Sequence, residues 1–131
     1  MRRSISAGLL FALLLGCGPS FDFHGVWVGD RGYKPKTGED PGLVGTVSQI
    51  HIEVHQDGTF SAVDSGIPID GTASSQGATL HLRPTRILGR PAEMAGPPVS
   101  NERLLKLSTD GSADYWRGGD TVHIRMRRTT N

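Results

Sequence analysis

The chain has 131 residues, of which 14 are Lys or Arg and 13 are Asp or Glu, for a formal net charge of +1 with the histidines neutral. That length suits one modest domain and is short for two. So even a charge balance excludes the basic footprint of a nucleic-acid binder, and a lone cysteine excludes an internal disulfide framework or a cysteine-built metal site.

The first segment in chain order is Met1-Arg2-Arg3 followed by an apolar run over residues 5–15 that ends in Leu14-Leu15-Gly16-Cys17. A positive start, an apolar stretch too short to span a bilayer comfortably and a small residue before cysteine together resemble a bacterial lipoprotein signal peptide. The resemblance implies a leader over residues 1–16, cleavage before Cys17, acylation of its thiol and usually of the new amine, and a lipidated tether over residues 17–23. Each buried acyl methylene contributes about 0.8 kcal/mol, so two or three chains hold a protein on a membrane that it does not span. Losing Arg2 and Arg3 with the leader leaves 115 residues and 12 basic against 13 acidic side chains, a net charge of −1. The implied address is the bacterial cell envelope. With Gly18 rather than aspartate after the cysteine, the resemblance favours the outer membrane facing the periplasm in a Gram-negative host.

From residue 24 the pattern changes to short alternating segments broken by Gly, Asp and Pro, with no amphipathic helical stretch, which predicts an all-β domain over residues 24–131. A first strand is expected at residues 24–29, then a long polar loop over residues 30–45. Ile50, Ile52 and Val54 alternate with Gln49, His51, Glu53 and His55, the mark of a half-buried strand. Asp57-Gly58 turns the chain into Phe60 and Ala62. Ile67-Pro68-Ile69 reads as an edge strand or a bulge because proline cannot donate to a ladder. A turn is expected at residues 74–77, followed by a strand over residues 78–83 with Leu80 and Leu82 inward. Residues 84–101 read as a second long loop in which Pro91-Ala92-Glu93-Met94-Ala95 makes one helical turn. Leu105 and Leu107, a turn at Asp110-Gly111, a strand over residues 113–117 with one of Tyr115 and Trp116 inside, and a last strand with Val122, Ile124 and Met126 inward complete the chain.

Seven or eight strands joined in order predict a small antiparallel up-and-down barrel or a sandwich, and closure of a barrel is the complete way to hide strand edges. Gly25-Val26-Trp27 at the head of the first strand, followed by a meander of tight hairpins, is similar to the Gly-x-Trp opening of lipocalins and small lipocalin-like domains. The resemblance implies that Trp27 packs as a plug across the closed end. It carries no ligand chemistry.

Candidate chemistry is sparse. His51, Glu53 and His55 project from one face of their strand and are donor types that a divalent metal takes, but a flat row seldom converges on one ion, and the reading preferred is a solvated face. His81 and His123 would flank that row only if their strands were adjacent to it. No Gly-x-Ser-x-Gly elbow, phosphate-binding loop or dinucleotide glycine pattern occurs, and Asp57, Asp70 and Asp110 each precede a turn glycine, so neither an enzyme nor a cofactor is expected. Arg125, Arg127 and Arg128 form a basic edge, as do Arg83, Arg86 and Arg90; both read first as charges that keep a β surface soluble. The expected function is a membrane-anchored binding module for an apolar or amphipathic small molecule, with loops 30–45 and 84–101 as gates. The alternative is a non-enzymatic envelope interaction, scaffold or inhibitor protein with a filled core. The choice turns on whether residues such as Trp27, Phe60, Leu82 and Met126 fill the interior.

Overall fold

Alternation of apolar and polar residues sets the architecture. The computed structural model describes residues 21–129 and contains strands β1 (Gly25–Asp30), β2 (Gln49–Val54), β3 (Thr59–Asp64), β4 (Ile67–Gln76), β5 (Thr79–Ile87), β6 (Arg90–Pro91), β7 (Arg103–Leu107), β8 (Ala113–Arg117) and β9 (Ile124–Thr129). Each long strand pairs antiparallel with the next in sequence, β5 passing over the two-residue β6 to pair with β7, and β1 closes on β9. The result is a closed eight-stranded up-and-down barrel rather than a sandwich.

One face of each of the eight barrel strands supplies the interior. Ile50, Ile52 and Val54 from β2, Phe60 and Ala62 from β3, Leu80 and Leu82 from β5, Leu105 from β7 and Ile124 and Met126 from β9 are all buried, and Leu107 packs half-buried against them. Trp27 and Met126 are 0 % exposed, Tyr115 1 % and Phe60 2 %, so the waist is filled with side chains at interior density. Trp27 Nε1 donates to the Phe23 carbonyl at 2.9 Å, and the Arg128 guanidinium lies 4.6 Å from the Trp27 ring centroid, where its charge meets the negative face of the indole. Two glycines make room for large neighbours. A methyl on Gly29 would meet the Met126 sulfur, and one on Gly71 would meet the Arg83 carbonyl and sit 2.8 Å from Phe60.

Several expected boundaries move, each for a physical reason. The predicted loop 30–45 ends in a helix, α1 (Pro41–Ser48), started by Asp40, whose carboxylate accepts from the Gly42 amide at 2.8 Å, with Pro41 in the first turn. β4 is not an edge strand, being flanked by β3 and β5. Pro68 is tolerated because its missing donor faces β5 just beyond the start of their pairing at Ile69 and Ile87, and its carbonyl still accepts from the Leu88 amide. The turn expected at residues 74–77 narrows to Gly77-Ala78, with Ser74, Ser75 and Gln76 paired in β4. β5 runs on through Pro84 to Ile87: its pairing with β7 ends at Leu82, before the proline, and Pro84 still stands opposite Gly71, ahead of the register shift that leaves Thr85 as an extra residue on β5. The single helical turn expected near Pro91 is present over Ala92–Met94. Val122 is not inward: it precedes β9 and is exposed.

Eight strands, an even number, bring the start of β1 and the end of β9 to the same end of the barrel, sealed by Phe23, Trp27 and Arg128. The long connections, residues 31–48, 88–102 and 118–123, all lie at the opposite end, called the mouth below. Among the described residues no helix is long and apolar enough to cross a membrane.

Candidate functional site: a charged cavity in the mouth

The inward alternation does not stop where the apolar core does. Counting by twos, Phe60 and Ala62 of β3 lead to Asp64, Ala113 and Tyr115 of β8 lead to Arg117, and Leu107 and Leu105 of β7 lead back to Arg103. These last rungs meet at the mouth, where they join Arg31, from the turn after β1, in lining a cavity of about 550 Å³. Ile67, Val99, Val122 and Ile124 give the same cavity an apolar wall. Its size falls within the ordinary range for small-molecule sites, about 300–1,000 Å³.

Asp64 is the centre of the floor. Its Oδ1 accepts from Arg31 Nη2 at 2.6 Å and its Oδ2 from the Tyr115 hydroxyl at 2.6 Å. Burial pushes the carboxyl up, but the hydrogen bonds from Tyr115 and Arg31 and the charges of Arg31 and Arg103 outweigh burial and hold it below the usual aspartate value. Tyr115 moves the other way, its phenol driven up by burial and then by the adjacent carboxylate. With both oxygens occupied and its proton affinity depressed, Asp64 is a poor general base. The trio is built to hold charge in place.

The arginines are compensated unequally. Arg31 is paired with Asp64, and Arg117 Nη2 lies 3.2 Å from Asp120. Arg103, 3 % exposed, has no carboxylate within ion-pair distance among the described residues. Its Nη1 donates to the carbonyls of Val99 at 2.5 Å and Asn101 at 2.7 Å, which pins the loop before β7, while the buried Nε atoms of Arg103 and Arg117 have no hydrogen-bond partner.

The residues singled out from sequence lie elsewhere. Cys17 and the lipobox fall outside the described residues. His51 and Glu53 lie on the outer face of β2 and His55 follows its end; His55 Nδ1 is 3.8 Å from Glu53 and His55 Nε2 is 3.4 Å from Ser61 Oγ, so the row does not converge on a point. Among the described residues no group of three or more His, Cys, Asp or Glu is placed to hold a metal ion. β5 and β9 are not neighbours of β2; His81 instead meets Glu102 at 2.9 Å, and His123 stacks on Trp116 with ring centroids 4.2 Å apart. Arg128 belongs to the sealed end, and Arg125 faces Asp114 at 3.5 Å. Asp64, Arg103, Tyr115 and Arg117 are not among the candidate residues of the sequence, yet the period-2 rule followed along β3, β7 and β8 marks all of them as inward. No protein-family model, curated protein or solved structure matches the chain.

Proposed function

We propose that this protein is a non-enzymatic binding module, tethered to the bacterial envelope through acylated Cys17, that takes one small amphipathic molecule in the mouth of the barrel. The observation that carries the reading is the mouth cavity, a concave space with an apolar wall and a few convergent, pre-oriented polar groups on its floor. The filled waist supports a ligand seated at the mouth and not one threaded through the barrel. The tether fits this arrangement, since a chain anchored ahead of Phe21 leaves the barrel at the sealed end and turns the mouth away from the membrane.

The test is native mass spectrometry of the mature chain, residues 17–131 with Cys17→Ser, before and after denaturation. A stoichiometric adduct lost on denaturation and reduced by Asp64→Asn is the expected result; a bare mass after envelope extract has been supplied counts against the reading. Partition of the lipidated protein into detergent, lost in Cys17→Ser, tests the anchor separately.

The alternative reading, a protein-interaction module of the envelope, draws on a different observation. Tyr33, Leu43, Leu88, Met94 and Val122 are large apolar residues left exposed on connections at the mouth end, where clustered apolar surface suits a partner. Crosslinking to one envelope protein from these loops, with no small-molecule adduct, would favour it.

A further inference from the structure

We infer that the mouth cavity is selective for a monoanionic amphiphile, an organic carboxylate whose headgroup is bound by Arg103. This rests on the binding-module reading and adds the ligand's chemical class.

The charge inventory of the cavity is lopsided. Three guanidiniums, those of Arg31, Arg103 and Arg117, and two carboxylates, those of Asp64 and Asp120, line it. Two ion pairs, Arg31 with Asp64 and Arg117 with Asp120, use both acids. Among the described residues Arg103 is left without an ion pair of its own: its Nη1 donates to two neutral carbonyls, its Nε is unpartnered, and the carboxylate whose charge it feels, Asp64, is already bound by Arg31 and Tyr115. A buried cation that shares its one nearby carboxylate with another guanidinium is incompletely compensated, and the lining carries one positive charge in excess. A carboxylate balances that excess and has the two-pronged geometry that a guanidinium fork reads. A dianionic phosphate monoester would exceed the balance by one charge and meet Asp64 and Asp120. A cation would add to the excess. The apolar wall of Ile67, Val99, Val122 and Ile124 then covers the rest of the ligand.

The experiment is calorimetric titration of the mature Cys17→Ser chain with four probes of one chain length: octanoate, octanol, octylamine and octyl phosphate. Its core runs from Phe23 to Met126, so the chain retains the complete barrel, and circular dichroism of each variant verifies the fold. Octanoate is expected to bind tightest, by about tenfold over octanol, the difference that one charge-assisted fork supplies. Arg103→Met should abolish the preference, bringing octanoate to the affinity of octanol measured in the same variant. If Arg103→Met does not fold, the side-chain Nε–H resonances of Arg103 and Arg117 in the parent chain serve instead. They should shift with octanoate and stay with octanol. Equal binding of octanoate, octanol and octylamine overturns the anion assignment while the binding-module reading stands. Tighter binding of octyl phosphate overturns the monoanion assignment. No binding by any probe, together with a bare native mass, overturns both.

Discussion

At the scale of single residues, Asp64 is the position on which the mouth depends. Its ionised form is the one that Tyr115 and Arg31 stabilise, so its folded pKa lies below the unfolded value of about 3.9. The resulting stability is fully present above that value and is lost as pH falls through the lower, folded pKa. Asp64→Asn strands Arg31 and should cost about 3 kcal/mol at neutral pH, and urea denaturation should show this deficit shrinking as pH falls below the unfolded value and through the lower folded one, where the parent also loses its charge. Tyr115 has the opposite sign. Its raised pKa stabilises the fold below about pH 10 and is lost as pH rises beyond that. Tyr115→Phe should therefore cost about 1–3 kcal/mol at neutral pH and abolish the part of the alkaline destabilisation that comes from this phenol. An equal deficit for Asp64→Asn at both acidic and neutral pH would refute the assignment.

At the scale of elements, the two inward glycines separate what a strand can absorb from what it cannot. A methyl on Gly71 meets main chain, the Arg83 carbonyl, at the register shift between β4 and β5, whereas one on Gly29 meets first the sulfur of the flexible Met126 side chain and lies 3.1 Å from the Arg125 carbonyl. Gly71→Ala should cost about 3 kcal/mol and Gly29→Ala about 1 kcal/mol, read from denaturation midpoints at constant slope; the reverse order would show that the register shift yields more easily than the core. The same elements show where sequence was legible. β2 and its hairpin could be read because alternation and Asp57-Gly58 are local signals, and the Tyr115-Trp116 split followed from parity alone, with Tyr115 buried and Trp116 half-buried. α1 was hidden because Gly42 and Gly45 weaken helix propensity and the helix is only 8 residues long. The Asp40-Pro41 start was its one clear signal. β5 was cut short at Pro84 because proline reads as a strand breaker, and one segment alone does not show that pairing with β7 ends at Leu82, before the proline. The charged mouth was missed because nothing local in the sequence joins Asp64, Arg103 and Arg117, which lie on three different strands and become a floor once closure brings those strand ends together.

At the scale of the whole molecule, closure makes the barrel cooperative. None of the eight barrel strands is left with one neighbour, the two-residue β6 alone pairing on one side, and the seam between β1 and β9 joins the first and last strands. Trp27 sits in the core at the sealed end, and Trp116 flanks the mouth against His123. In Trp116→Phe, fluorescence reports Trp27 alone. Its unfolding midpoint should coincide with that of far-ultraviolet circular dichroism, as one transition requires; separated midpoints would mean that the two ends unfold independently. Pairing of Val26 with Thr129 across the seam also makes the order of the strands separable from the order of the chain. A short linker from Thr129 back to Asp22 would make the backbone circular, and reopening it within residues 32–39 would give a circular permutant whose new ends stand beside the cavity. Fluorophores fused there would turn ligand uptake into an optical signal without altering a residue of the floor.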